Sequence, residues 1–307
     1  MTSAITLRFT TQMQFDISRM TAEMSDLQRQ VSSGAVASDL LGFGASASRL
    51  VDTRGLRALS DGRAAAANQM VARFSVQSAA LSRAAQASRD LSLSLRNAVS
   101  DDDGQTVDLE LNLAFGSIVS ALNETWNGQP LFAGERVGAG PVKVGDLQAL
   151  VAATGPDDIF DEAERHQVMD LGLGTPLALA DKASEIGGEL MNAMRDLQML
   201  LDLNGGRLGA DLTQAQRDSL QALSTRLEAS AQTLTAAEAR AGQLEQRLTS
   251  ERARMEARSN LLAKEIGEIA DADIPRISIQ LSTLQAQYQA TAKVFSDLSK
   301  LTLLDYL

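Results

Sequence analysis

Hydrophobic side chains recur every third or fourth residue in three long stretches of this chain, and a repeat of that period is buried by packing helix against helix. Near the N-terminus the series is Met13, Ile17, Met20, Met24, Leu27 and Val31. Near the C-terminus it is Ile274, Ile277, Leu281, Leu284, Tyr288, Thr291, Phe295 and Leu298. The longest begins at Leu220 and passes through Leu223, Leu227, Ser230, Leu234, Ala237, Ala241, Leu244, Leu248 and Glu251 to Met255. A helix over 211–269 would be about 90 Å long. The spacing therefore predicts a mainly α protein, an elongated rod of long antiparallel helices with heptad packing.

Aromatic residues make up only 4% of the 307, with one Trp and two Tyr, while 44% are hydrophobic. That balance suits thin helical packing rather than a thick enzyme core. No cysteine is present, which excludes disulfides and thiolate metal or redox sites. The first 30 residues hold Arg8, Arg19 and Arg29 and no continuous apolar run of signal-peptide type. Nor does any run approach the ~18 apolar residues that span a bilayer. A soluble cytosolic product is expected, one that leaves the cell by a route needing no cleaved signal.

The net charge of −11 is uneven. Residues 1–100 carry 11 basic against 7 acidic side chains, residues 101–200 carry 5 against 18, and residues 201–307 carry 12 against 14. An acidic middle third discourages nucleic acid and anionic membrane, so neither is expected as a partner.

Breaks divide the helical pattern. Ser32, Ser33 and Gly34 end the first helix, and a Gly/Ala/Ser stretch follows to Ser48. A second helix is expected from about Leu56 to Asp101, ended by Asp102, Asp103 and Gly104, and a third from Thr106 to Trp126. Four of the five prolines fall between Asn127 and Pro176, which reads as a small insert of loops and short β-strands. Helix is expected again from Leu177, stopping at Gly205 and Gly206. In Asp271-Ala272-Asp273-Ile274-Pro275 an acidic cap precedes a proline, and proline is accepted in a helix's first turn. The final helix thus starts at Ile274. Three regions are expected: 1–48 with 270–307 as a terminal paired-helix coiled coil, 49–130 with 177–269 as a long helical bundle, and 131–176 as the insert. Met13, Ile17, Met20, Met24, Leu27 and Val31, with Ile277, Leu281, Leu284, Tyr288, Phe295 and Leu298, are the expected assembly interface. Two thin end helices bury too little by themselves to offset the entropy of ordering them, so neighbouring molecules are expected to cover and order them.

Several short segments carry a resemblance. Leu7-Arg8-Phe9-Thr10-Thr11-Gln12-Met13, Gln30-Val31-Ser32-Ser33-Gly34, Leu131-Phe132-Ala133-Gly134, Ala239-Arg240-Ala241-Gly242-Gln243-Leu244-Glu245, Ile269-Ala270-Asp271-Ala272-Asp273-Ile274 and Gln285-Ala286-Gln287-Tyr288-Gln289-Ala290 resemble signatures of the flagellin superfamily. The opening segment and the closing Leu303-Leu304-Asp305-Tyr306-Leu307 look more like its hook–filament junction members than like filament flagellin. The superfamily's paired-aspartate element is missing, its place taken by Ser38-Asp39-Leu40-Leu41-Gly42-Phe43-Gly44. The resemblance implies a structural subunit exported through the flagellar type III apparatus, serving motility. Its implied partners are flagellin, the first hook-associated protein, copies of itself in a ring, and an export chaperone at the C-terminal region. Flagellin itself is the alternative; a coiled-coil signalling hairpin fits worse, because it would lack the breaks and the insert.

Chemistry-bearing clusters are few. His166 is the sole histidine and reads as a surface residue. Asp101, Asp103, Gly104 and Glu110 match positions of a calcium loop, but Val99 stands where its first carboxylate is needed. Asp157, Asp158, Asp161, Glu162 and Glu164 read as a solvated acidic run without a basic companion, and the methionines at helical spacing as packing filler. No catalytic residue, metal site or cofactor is expected, and the chain is read as no enzyme.

Overall fold

The structure is a computed structural model that describes residues 2–169 and 177–304, with side chains over 11–169 and 178–297. It is mainly α. Helices α1 (Thr2–Ser33), α2 (Ala47–Asp101) and α3 (Val107–Leu122) precede the insert, and α6 (Ala183–Leu203), α7 (Gln214–Ala270) and α8 (Ile274–Leu304) follow it. The insert holds β1 (Thr125–Trp126), β2 (Gln129–Pro130), α4 (Leu147–Ala152), α5 (Pro156–Ile159), β3 (Val168–Met169) and β4 (Leu177–Ala178). The chain divides into two compact units, residues 1–62 with 255–307, and residues 63–254.

In the unit formed by residues 63–254 the core runs between α2, α3, α6 and α7. Leu81, Leu91, Leu95, Leu111, Ile118, Leu190, Leu197, Leu220 and Leu227 are almost wholly buried there. α2 and α7 approach closely because small residues line their contact. The Ser88 hydroxyl donates to the Leu227 carbonyl and the Ser92 hydroxyl to the Ser224 carbonyl, each at 2.8 Å. These pairs run in opposite chain directions, so the helices are antiparallel. A buried hydroxyl that finds a carbonyl avoids the cost of an unmet polar group.

Expected boundaries shift where local chemistry overrides the heptad. α3 ends at Leu122 rather than Trp126, because Asn127 and Gly128 take positive φ angles of 50° and 77°. They form the two-residue turn of a hairpin that pairs Thr125 with Pro130 and Trp126 with Gln129. α6 begins at Ala183, not Leu177, since Leu177 and Ala178 pair instead with Met169 and Val168. Its start is fixed by carboxylates: Glu185 accepts from the Lys182 backbone N–H and Glu162 from that of Ser184. α2 begins at Ala47 rather than Leu56, after a 3₁₀ turn over Leu41–Ser46. Leu50, Thr53 and Ser60, buried at irregular spacing, hold that early segment.

The acidic run of the insert does have basic companions. Arg136 pairs with Asp161 at 2.9 Å, and Lys182 with Glu162 at 3.7 Å. Asp158 instead accepts from the backbone and hydroxyl of Thr154, which holds its carboxyl below the usual value. These groups fasten the insert to itself and to the start of α6.

Candidate assembly surface

Two backbone hydrogen bonds join the end of α1 to the start of α8. Val36 N–H donates to the Ala270 carbonyl at 2.8 Å and Ala272 N–H to the Gly34 carbonyl at 2.9 Å, around a bridge between Ala35 and Asp271. Gly34 makes this exit possible with φ 69°, a conformation that carries a steric penalty for residues with a Cβ. Asp273 caps α8, its carboxylate accepting from Arg276 N–H at 3.1 Å, with Pro275 in the first turn. Since the end of one helix meets the start of the other, α1 and α8 pack antiparallel, residue 27 opposite the 277 end.

The seam follows most of the expected stripe. Met20, Ile277 and Leu284 are buried, and Met13, Ile17, Met24, Leu27, Leu281, Tyr288 and Phe295 are half-buried. Val31 departs from it at 37% exposure, while Gln30 takes the half-buried position. A straight helix advances 3.6 residues per turn, so the strict heptad drifts off the contact by its last turn. The side chain of Leu298 lies outside the described residues.

A second apolar set lies off this seam and is uncovered. Phe15 is 63% exposed and Ile279 68%, with Val294 close to half. In the 3₁₀ turn over Leu41–Ser46, Leu41 is almost fully exposed. The heptad reading passed over Phe15, Ile279 and Val294 because each falls one or two positions from a seam residue, and over Leu41 because it lies outside the repeat. The signal was available as large apolar residues outside the repeat.

The histidine makes structural contacts. His166 Nδ1 meets the Ala180 carbonyl at 3.2 Å and Nε2 lies 3.3 Å from Glu185. Among the described residues no group of three or more metal-ligating side chains gathers, and no helix is long and apolar enough to cross a membrane. Arg73 is buried against the insert and hydrogen-bonds Gln167 at 2.7 Å; burial lowers its pKa. Arg226 bridges Glu189 at 2.8 Å and Asp196 at 2.6 Å between α6 and α7; burial pulls its pKa down, but the two carboxylates outweigh that and raise it.

Paired end helices with uncovered apolar backs, on a mainly α framework, define a long-helix structural class. Residues 213–307, which span α7 and α8, match the model of the bacterial flagellin C-terminal helical region. No curated protein matches it. Among solved structures it is similar to one described as a flagellar hook-associated protein from Vibrio parahaemolyticus, at 14% identity and TM-score 0.54, covering 73% of this chain and 97% of that one. A crystal structure of Bacillus cereus FlgL aligns at 12% identity and TM-score 0.40, over 83% of this chain and 97% of that one.

Proposed function

We propose that this chain is a structural subunit of the bacterial flagellum that forms the junction between hook and filament, polymerising through its terminal helices. The observation that carries this is the α1–α8 pair, whose second helix lies in the region 213–307 that matches the flagellin C-terminal region and whose outer faces leave Phe15, Ile279 and Val294 uncovered. Half-buried seam residues and bare apolar backs make poor monomer surface and good subunit interface. The interface comprises Met13, Ile17, Met20, Met24, Leu27 and Val31 of α1, with Ile277, Leu281, Leu284, Tyr288, Phe295 and Leu298 of α8. Partners are flagellin on one side, the first hook-associated protein on the other and copies of itself around a ring. The chain reaches that place through type III export with a chaperone on its C-terminal region, and it has no catalytic role.

Deleting the gene tests the position. Hooks are expected to remain while flagellin is secreted without forming attached filaments, and an antibody to this chain is expected to mark one band at the filament base. Label along the whole shaft, or long filaments grown from the purified protein alone, would replace the junction reading with filament flagellin.

A further inference from the structure

An open groove between α2 and α3 is lined by Asp90, Leu93, Asn97, Asp101, Asp103 and Glu110. Beside it the apolar surface is bare: Leu93 and Leu109 are each 56% exposed and Leu113 is 62% exposed. Residues 90–113 hold six acids, Asp90, Asp101, Asp102, Asp103, Asp108 and Glu110, against the single Arg96. Asp102 and Asp108 are paired with Arg217 and Arg207. The other four have no cation within ion-pair distance among the described residues; Asp90 and Asp103 accept only from Gln86 and the Gln105 backbone. The face is thus leucine-rich and acid-rimmed, with four of its six acids unpaired among the described residues.

The same chain carries the opposite pattern. Residues 247–264 of α7 hold Arg247, Arg252, Arg254, Arg258 and Lys264 against Glu251 and Glu256. Leu261 is 67% exposed on that helix, three residues from Arg258 on one side and three from Lys264 on the other. Arg258 and Lys264 are exposed and have no ion pair among the described residues. Spacing of three places cation, leucine and cation on one helix face. On α3, Glu110 and Leu113 repeat that spacing with the sign reversed.

Resting on the reading of the chain as a polymerising subunit, we propose that the Arg258-Leu261-Lys264 face of one copy docks on the Leu93, Leu109 and Leu113 face of a second copy, cations against the acidic rim. The two faces differ, so the contact is heterologous, and a pair of copies keeps one free donor face and one free acceptor face. Complementary charge selects this mate and fixes its register, while the leucines supply the area.

The absence of cysteine makes the test direct. Full-length Leu113→Cys and Leu261→Cys proteins, each checked for an unchanged helical spectrum, are mixed at high concentration under mild oxidation. A disulfide-linked heterodimer is expected. Replacing either partner by Val137→Cys, also exposed but in the insert, is expected to reduce the yield to background. Adding Glu110→Lys to the first partner is expected to abolish the link, and adding Lys264→Glu to the second to restore it. No heterodimer, or one as abundant with Val137→Cys, overturns the proposal. Glu110→Lys protein that still incorporates into flagella while the cross-link fails removes this surface alone; loss of incorporation by the unmodified chain removes the reading beneath it.

Discussion

Gly104 shows how much one missing methyl group decides. A Cβ there would lie 2.5 Å from the Leu208 Cβ and 3.0 Å from the Leu212 side chain, while the Gly104 N–H donates to the Gly209 carbonyl at 3.0 Å. Two loops meet at van der Waals contact. The helix stop itself belongs to Asp102, at φ 54°, whose carboxylate accepts from Leu212 N–H and pairs with Arg217. Gly104→Ala is expected to cost about 1–3 kcal/mol by overpacking, read as a lowered melting temperature; an unchanged one would show that the loops yield. Nearby, hydrogen bonds from Arg207 hold the Asp108 carboxyl below its usual range. A carboxyl lowered in the folded state adds stability above its ordinary value of about 4 and loses it as pH falls through the folded value. The melting difference between the wild type and Asp108→Asn is therefore expected at neutral pH and to vanish on strong acidification. A difference that persisted in acid would assign the effect to packing.

At the scale of elements, the α1–α8 pair differs from the rest in how little covers it. Among the described side chains only Met20 on α1 and Ile277 and Leu284 on α8 are buried, whereas α6 buries ten of its 21 residues. Leu284→Asp is expected to strip amide protection from α1 and α8 while leaving the main thermal transition in place, and to abolish incorporation into the flagellum. A large drop in the main transition would mean that the pair is welded to the larger unit's stability. The start of α8 was legible from Asp273 and Pro275, and the stop of α1 from Gly34, because caps and breakers act within a few residues. The hairpin at Asn127-Gly128 was not, because the α3 repeat ran smoothly into it and outweighed a two-residue turn signal. Nor was the early part of α2, held by a leucine, a threonine and a serine whose burial depends on what α7 places opposite them. The α1–α8 seam was legible to within one position, Gln30 for Val31. The uncovered Phe15, Ile279 and Leu41 were not, since a repeat reports what a helix hides and says nothing of what it shows.

For the whole molecule, protection against exchange is expected to be graded, strongest in α3 and α6 of the unit over residues 63–254 and weakest in α1 and α8. Mass spectrometry of the dilute protein reads this directly, and protection of α1 equal to that of α6 would contradict it. The grading follows from the fastening at Ala35 and Asp271, which joins residues 236 positions apart in sequence. Closing so long a loop costs entropy, and it comes after local contacts have formed. Neither α1 nor α8 finds its antiparallel mate in the stretch of chain next to it; each depends on the far end. The latch thus ties the order of either helix to the presence of the other: a chain lacking α8 leaves α1 without its mate.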